Sequence, residues 1–390
     1  MAESSTPNDA RTSAVEPVRY LPGETESSRP EAGVALCLSG GGYRAMLFHS
    51  GSLWRLSEAG LLGKLARISS VSGGSIAAGV LALAWPDLRT GGAFERARFE
   101  DKVVKPVRRL ADETIDASAV IGGLLLPGTV NEKVQTAYRK HLFGKATLQA
   151  LPETPRFVIN ATNVQSGVLW RFSKPYMRDY RVGEVKDPSV PLATAVAASS
   201  AFPPVLSPCT LELDPNSFTP GSGADLQREP YTSRVVLSDG GVYDNLGLET
   251  AWKRYETILV SDAGGQMQPE EEPKEDWARH AYRVLNVIDN QVRSLRKRQV
   301  IQAYKQGTRK GTYWGIRTNI ADYELPDALP CPHPRTLALA ATPTRLKRLP
   351  GQLQEQLINW GYAVCDAGLR KHVDPALPRP AGFPYPAAGV

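Results

Sequence analysis

The fold class of this chain is best indicated by the stretch Val34-Ala35-Leu36-Cys37-Leu38-Ser39-Gly40-Gly41-Gly42-Tyr43-Arg44. Its five consecutive apolar residues predict a strand that is buried on both faces, as in a parallel sheet covered by helices. Three glycines then end the strand and leave consecutive backbone N–H groups unobstructed by side chains. The next segment, Arg44–Gly60, carries leucines at helical spacing, so the order strand, glycine turn, helix is predicted.

The same order of elements recurs along the chain. A strand over Arg67–Val71 precedes a helix of small residues over Gly74–Trp85, and a strand over Val235–Leu237 leads into a further glycine turn. Thr257–Val260 adds another short apolar strand. Alternation of strands and helices predicts an α/β fold, with a central, mostly parallel sheet and helices on both faces.

The remaining elements predict one catalytic domain over residues 31–372, with a motif core over 34–265 and a helical C-terminal addition over 276–372. Residues 1–30 are rich in Ser, Thr, Glu and Pro and predict a disordered lead-in, and 373–390 predict a proline-rich tail. The other predicted helices are Phe94–Leu110, Asn131–Phe143, Leu192–Ser200, Asp276–Gln306 and Gly351–Leu369. The other predicted strands are Arg156–Val164, Gly167–Phe172 and Thr312–Ile316.

Composition indicates which structural classes, cellular compartment and partners are expected for this chain. The chain has 390 residues, a net charge of +6 and four scattered cysteines without a C-x-x-C pair. This pattern predicts neither a disulfide framework nor a zinc site, and it favours a reducing, cytoplasmic location. No nucleic-acid motif accompanies the mild positive charge, so no nucleic acid is expected as a partner. The longest apolar run, Ile76–Trp85, is shorter than the roughly 20 residues that span a bilayer, which favours peripheral contact with membranes.

A second tight turn, Ser70-Val71-Ser72-Gly73-Gly74, has the form of a nucleophile elbow. A sharp strand–turn–helix with small neighbours exposes a serine hydroxyl and leaves room for a substrate carbonyl. Ser69, Ser70 and Ser75 compete with Ser72, but Ser72 has the strand before it and the helix after it. The alternative is a glycine-rich helix start that only packs.

The candidate base for this serine is an aspartate rather than a histidine. Asp239 follows a strand and precedes Gly240-Gly241, and a carboxylate in a dry site can accept a serine proton directly. None of the five histidines lies in a glycine-framed loop after a strand; they are His49, His141, His280, His333 and His372. An Asp-Gly β-turn without catalytic function is the alternative for Asp239.

The first glycine turn is a candidate oxyanion hole. Gly40, Gly41 and Gly42 can present N–H groups to a carbonyl oxygen that becomes negative during acyl transfer. Arg44 could supply a cation for a substrate phosphate or hold the shape of the loop. A nucleotide phosphate loop uses the same physics, but neither a G-K-[S/T] ending nor G-x-G-x-x-G spacing is present.

Together, Gly-Gly-Gly-x-Arg, the serine elbow and Asp-Gly-Gly resemble the patatin-like phospholipases. The stretches Ala197–Pro204 and Asp239–Asn245 are similar to the sequences that the family has at these positions. Ser39–Met46 also resembles the sequence of its cytosolic phospholipase A branch. The resemblance implies a Ser–Asp dyad without histidine, with Ser72 as nucleophile and Asp239 as base. It implies an oxyanion hole at Gly40, Gly41 and Gly42, Arg44 near the substrate head group, and no metal or other cofactor. Ser70 replaces the family's usual glycine.

The function expected from these residues is hydrolysis of phospholipid or lysophospholipid acyl esters, or of another acyl-ester lipid. A non-catalytic lipid-binding relative and a Ser-His-Asp esterase are the alternatives. The sequence leaves open a homo-oligomer and an activator. The apolar stretch 119–127 is interpreted as a lid, a membrane loop or a buried connection, and the basic run 293–310 as a lipid-facing or solvated surface. Five tryptophans are expected in the core, namely Trp170, Trp252, Trp277, Trp314 and Trp360.

Overall fold

The computed structural model describes residues 30–89, 94–115 and 130–390. The predicted lead-in, apart from residue 30, and the apolar stretch 119–127 lie outside these ranges. The described strands are β1 (Glu31–Leu38), β2 (Leu65–Ser70), β3 (Arg156–Asn163), β4 (Val168–Phe172), β5 (Tyr176–Asp179), β6 (Gly183–Lys186), β7 (Cys209–Glu212), β8 (Arg234–Asp239), β9 (Tyr255–Asp262) and β10 (Lys310–Gly315).

The helices predicted from the sequence begin and end within four residues of the predicted positions, whereas Gly241–Asp244, Glu249–Trp252 and His333–Ala340 have no counterpart in the sequence prediction. The described helices are α1 (Gly42–Glu58), α2 (Gly73–Arg89), α3 (Arg96–Phe99), α4 (Lys105–Ala111), α5 (Val130–Tyr138), α6 (Leu192–Ser199), α7 (Gly241–Asp244), α8 (Glu249–Trp252), α9 (Trp277–Lys305), α10 (His333–Ala340) and α11 (Gly351–His372). A π-helical turn over Glu100–Val104 joins α3 to α4, and another, Arg139–Phe143, extends α5.

The ten described strands form one mixed sheet in the order β10-β9-β1-β2-β3-β4-β5-β6. The five strands from β10 to β3 are parallel, while β4, β5 and β6 continue the sheet as antiparallel neighbours. β8 also pairs antiparallel with β3, and β7 pairs with β8. The predicted mostly parallel sheet is confirmed, but the antiparallel direction of β8 has no signal in its sequence.

Helices cover the sheet on both faces, which gives the three-layer α/β/α architecture predicted from the sequence. Alternate residues of β1 divide between two apolar clusters, because successive side chains of a strand point to opposite faces. Leu36 and Leu38 belong to the large cluster under α1, α2 and α11, and Ala35 and Cys37 belong to the smaller one under α8 and the end of α9. Because β1, β2 and β9 are parallel neighbours, the residues that follow their carboxyl ends lie together at one end of the sheet.

The C-terminal residues 373–390 pack on the domain. Asn359 of α11 donates to the carbonyl oxygens of Tyr385 and Gly389 at 2.8 Å each. The Tyr385 ring also meets the edge of Trp54, which is buried on α1. The segment predicted as a tail from its prolines is thus held by side chains that the proline pattern does not reveal.

Candidate active site

The serine elbow and the aspartate turn meet because β2 and β8 share one edge of β3. β2 pairs with the first half of β3, where Ser70 lies opposite Ile159. β8 pairs antiparallel with the second half, where Asp239 lies opposite Ala161. The two strands therefore approach each other end to end, and the residues that follow Ser70 and Asp239 converge.

Ser72 occupies a strained position at the start of α2. Its φ of 51° lies in the left-handed region, where a residue other than glycine costs about 1–2 kcal/mol. The side chain is 8% exposed and lines the pocket described below. This geometry is that of a nucleophile elbow, in which the turn holds the hydroxyl out at the edge of the sheet.

A row of serine hydroxyls lies behind the elbow. Ser199 Oγ, at the end of α6, accepts the Ser72 N–H at 2.9 Å. Ser75 Oγ lies 2.9 Å from Ser199 Oγ and donates to Ser70 Oγ at 3.0 Å. The serine in place of the family's glycine is therefore part of a network that links β2, α2 and α6. Sequence reasoning missed Ser199, because nothing in its helix indicates a partner 127 residues away.

Asp239 is buried at the end of β8 and aims one oxygen at the elbow. Its Oδ1 accepts the Gly241 N–H at 2.7 Å. Its Oδ2 is buried and has no hydrogen-bond partner of ordinary geometry among the described residues. Burial raises the pKa of Asp239 to about 7, and the charge of Asp289 adds to the rise. The Gly241 N–H and the nearby Ser72 hydroxyl offset part of that rise in pKa.

The three N–H groups of the glycine loop differ in whether they donate a hydrogen bond within the protein. Gly40 N–H donates to Asn245 O at 3.0 Å, so the expectation that all three glycines serve as oxyanion donors does not fit this one. The N–H groups of Gly41 and Gly42 have no acceptor in the described part of the chain. Both residues have positive φ, 145° and 59°, and line the pocket beside Ser72.

Gly73 allows the two turns to approach. A Cβ atom there would lie 2.2 Å from the carbonyl oxygen of Gly42, which is closer than any real contact. The sequence pattern placed this glycine in the elbow but gave no indication that it touches the other loop. The absence of a side chain at Gly73 therefore sets the distance between the elbow and the glycine loop.

Arg44 is buried, and its donors are occupied by the protein. Its Nε donates to Ala263 O at 3.1 Å and its Nη2 to Thr344 Oγ1 at 2.8 Å, while Nη1 donates to Thr342 O. Burial, with Arg293 and Arg317 nearby, lowers its pKa to about 10. The side chain clamps the loop after β9 to the segment before α11, and this geometry fits the loop-holding alternative better than contact with a head group.

A pocket of about 580 Å³ joins these groups. Ser72, Asp239 and the three glycines form its floor. One side is apolar and is lined by Phe202, Pro203, Pro204, Val205, Leu206 and Leu346. The part of the lining that α9 contributes is mainly polar and consists of Tyr282, Arg283, Asn286, Asp289, Asn290 and Arg293. The pocket can thus take a molecule with an apolar chain and a polar end.

Histidine is absent from the pocket lining, although all five histidines belong to the described residues. His49 is buried on α1, with Nε2 2.9 Å from Ser39 O and Nδ1 2.8 Å from Ser261 Oγ. Since a carbonyl oxygen only accepts, Nε2 carries the proton of a neutral ring. Burial lowers the pKa of His49 to about 4, in agreement with this tautomer. His49 is therefore a packed structural residue.

The described residues contain neither a candidate membrane span nor a candidate metal site. No helix among them is both long and apolar enough to cross a bilayer. No group of three or more His, Cys, Asp or Glu side chains among them could hold a metal ion.

Comparison with known proteins identifies relatives of the chain. The sequence matches the family model described as patatin-like phospholipase over residues 36–252, more than half of its length. No curated protein sequence matches it significantly. Human GIVD cytosolic phospholipase A2, solved with methyl γ-linolenyl fluorophosphonate, is 13% identical with a TM-score of 0.48. That match covers 86% of this chain and 57% of the human chain.

Two further solved structures are similar. Another structure of the human enzyme is 13% identical with a TM-score of 0.37, and covers 63% of this chain. In that match the chain spans about half of the human protein, 49% of its length. VipD from Legionella pneumophila is 15% identical with a TM-score of 0.34, and the match covers 88% of this chain and 67% of VipD.

Proposed function

Since the chain belongs to the patatin-like phospholipase family, we propose that it is a lipid acyl hydrolase. It cleaves carboxylic esters of phospholipids or lysophospholipids with Ser72 as nucleophile and Asp239 as base. The observation that carries this proposal is the buried Oδ2 of Asp239, which has no ordinary partner and belongs to a carboxyl with a pKa of about 7. A base of that pKa is matched to proton transfer near neutral pH.

In the acylation step, Asp239 accepts the proton of Ser72 as Oγ attacks the ester carbonyl carbon. The carbonyl oxygen becomes negative and accepts hydrogen bonds from the N–H groups of Gly41 and Gly42. The C–O bond of the ester then breaks, Asp239 returns the proton to the departing alkoxide, and the acyl group remains on Ser72. Asp239 Oδ2 has no hydrogen-bond partner of ordinary geometry in the described residues, and in this proposal its hydrogen bond with Ser72 forms when bound substrate excludes water, as is common for catalytic hydrogen bonds.

In the deacylation step, water replaces the alcohol. Asp239 accepts a proton from the water, the resulting hydroxide attacks the acyl carbon, and the same two N–H groups stabilise the second oxyanion. The Ser72–acyl bond breaks, Ser72 recovers its proton from Asp239, and a fatty acid leaves. Each oxyanion donor contributes about 3–4 kcal/mol when judged by removal of one such donor in other hydrolases.

The two walls of the pocket support a lipid as the substrate. The apolar wall at Phe202–Leu206 suits an acyl chain, and the polar wall on α9 suits a head group. Because Arg44 is engaged with backbone and Thr344, we assign the head-group cation to Arg293. Arg293 lines the pocket, donates to Gly265 O, and has a buried Nε without a partner in the described part of the chain.

The two alternatives have less support. A Ser-His-Asp esterase needs a histidine in reach of Ser72, and the described pocket lining contains none. A lipid-binding relative without activity does not require a strained serine or a buried carboxyl beside it. Both alternatives remain outcomes of the experiment below.

The experiment measures fatty-acid release by mass spectrometry from vesicles that contain phosphatidylcholine and lysophosphatidylcholine. The proteins are the wild type, Ser72→Ala and Asp239→Asn, with Ser50→Ala and Glu113→Gln as controls. Ser50 is a buried helix serine that donates to Met46 O, and Glu113 is an exposed acid. We expect release by the wild type and both controls and loss of release in both site variants.

Three results would contradict the proposal. Release that survives Asp239→Asn removes the dyad and returns attention to the histidines. Release that survives Ser72→Ala removes the nucleophile. No release by the wild type, together with no labelling of Ser72 by a fluorophosphonate probe, indicates a binding protein. The probe reports an activated serine without requiring the correct lipid.

The head-group assignment has a separate test. Arg293→Gln is expected to raise KM for phosphatidylcholine about tenfold and to leave KM for an uncharged diacylglycerol nearly unchanged. The matched control is Arg298→Gln, which removes an exposed arginine of α9 that does not line the pocket and whose Nε donates to Ser294 O at 3.3 Å. An equal effect of Arg293→Gln on both substrates would mean that Arg293 only supports the loop at Gly265.

A further inference from the structure

The long helix α9 has two distinct faces. Asn286, Asp289 and Arg293 point into the pocket. The last turns of the helix are anchored, since Val300 is buried and Tyr304 Oη donates to Ile258 O at 2.6 Å. The face opposite the pocket is exposed along the first six turns.

The exposed face carries apolar residues at the spacing of a coiled-coil seam. Trp277, expected in the core, is 85% exposed, and Ile288 and Leu295 are each 51% exposed. Intervals of four and three residues connect the exposed positions along one line, here called the α9 seam: Trp277, Ala281, Val284, Ile288, Gln291 and Leu295. Alternating intervals of this kind are those of the two inward positions of a heptad. Leu285 and Val287, also exposed, flank the seam.

We propose that a second copy of this chain docks on the α9 seam as an antiparallel helix pair. The residue intervals along the seam are 4, 3, 4, 3 and 4, which is the same sequence from either end. A two-fold axis perpendicular to the helix at the level of residue 286, the midpoint of the seam, therefore makes the surface complementary to itself. Trp277 then lies opposite Leu295 of the second copy. Val284 lies opposite Ile288 in the same way, and Leu285 opposite Val287.

Charge favours the antiparallel direction. The residues before α9, 270–276, contain five acids and one lysine, whereas the exposed Arg298 lies near the other end of the seam. Among the described residues Glu271, Glu272 and Glu275 are exposed and form no ion pair. An antiparallel pair brings each acidic segment to the basic end of its partner, whereas a parallel pair would bring like charges together.

The same observations disfavour a bilayer as the occupant. The acidic segment beside the seam would be repelled by an anionic lipid surface. The basic run is also divided, because Arg293 donates to Gly265 O and Arg296 pairs with Glu249 at 3.1 Å. In addition, the seam and the pocket-lining residues lie on opposite faces of the helix, so a bilayer on the seam would have α9 between it and Ser72.

Assembly through this seam has a consequence for the pocket. The first half of α9 supplies the polar wall yet packs on the domain through few buried side chains, and Val300 and Ala303 are its buried residues. A second copy would cover the outer face of the same turns. The dimer would therefore hold Asp289 and Arg293 in place in the pocket lining.

The first test is sedimentation velocity of the full chain over a hundredfold range of concentration. We expect a dimer for the wild type and a monomer for Val284→Glu/Ile288→Glu. The control is Val164→Glu, which places the same charge at an exposed apolar residue outside α9 and is expected to remain a dimer (Val164 is 52% exposed). A wild type that stays monomeric over the whole range overturns the proposal. If vesicle binding is then also lost in the double variant, a bilayer is the occupant instead.

Disulfide cross-linking tests the direction of the helices. Trp277→Cys and Leu295→Cys chains are oxidised separately and as a mixture; the four native cysteines are buried and free. An antiparallel pair gives a cross-linked dimer in the mixture and little in either variant alone. A parallel pair places residue 277 beside residue 277, about 27 Å from residue 295 along the helix. Cross-linking of Trp277→Cys alone would therefore overturn the proposed arrangement, and neither this result nor the sedimentation result depends on hydrolase activity.

Discussion

The substitution Asp239→Asn is expected to abolish hydrolysis and, at the same time, to stabilise the fold above neutral pH. Burial raises the pKa of Asp239 to about 7, so the folded state resists ionisation of this carboxyl while the unfolded chain does not. Asparagine keeps an oxygen for the Gly241 N–H, which Asp239 accepts at 2.7 Å, and it cannot ionise. The site therefore holds a group that is unfavourable for stability and required for the proposed chemistry.

The magnitude follows from the two pKa values. Below pH 4 the carboxyl is protonated in both states and costs nothing. Between pH 4 and pH 7 the unfolded chain loses its proton first, so stability falls as the pH rises, and above pH 7 the cost is constant. A rise in pKa from about 4 to about 7 corresponds to a cost of roughly 4 kcal/mol at high pH, of which about 3 kcal/mol accumulates between pH 5 and pH 8.

The assay is urea unfolding at pH 5, 6, 7 and 8, with tryptophan fluorescence as the readout. The free energy of unfolding of Asp239→Asn minus that of the wild type should increase by about 3 kcal/mol from pH 5 to pH 8. Taking the difference between two pH values removes any fixed cost of the amide itself. Glu113→Gln, an exposed acid, should show no such increase. If the difference in the free energy of unfolding between Asp239→Asn and the wild type does not change with pH, the raised pKa of Asp239 is refuted.

Three other outcomes are expected. The kcat/KM for lipid hydrolysis should fall about tenfold per pH unit below pH 7 and level off above pH 7, because Asp239 must be unprotonated to act as the base. A profile that is flat from pH 5 to 8 would exclude Asp239 as the base. Gly73→Ala should lower the free energy of unfolding by about 1–3 kcal/mol and abolish activity, because its Cβ would lie 2.2 Å from a carbonyl oxygen of the glycine loop. The control Gly63→Ala, whose Cβ would meet nothing within 4 Å, should change neither stability nor activity. Ser199→Ala should lower kcat about tenfold with little change in KM, because the Ser72 N–H loses its acceptor at 2.9 Å; a change in KM alone would place Ser199 in substrate binding.

Much of the candidate site could be predicted from local sequence, because the segments that form it are short and continuous. A buried apolar strand, a glycine turn and a helix form over about 25 residues, and their pattern is visible at Val34–Gly60 and again at Arg67–Trp85. The family resemblance carried by Gly40–Arg44, Ser72 and Asp239 is likewise a property of short segments, and the match over residues 36–252 confirms the family.

Contacts between distant segments decided the rest. The direction of β8, which brings Asp239 to the elbow, depends on pairing with β3 rather than on any residue within β8. The use of the Gly40 N–H by Asn245, and of the Arg44 guanidinium by Thr344, joins segments more than 200 residues apart. Sequence periodicity reports how one element meets the core, but hydrogen-bond partners across the sheet are fixed only when the whole chain has packed.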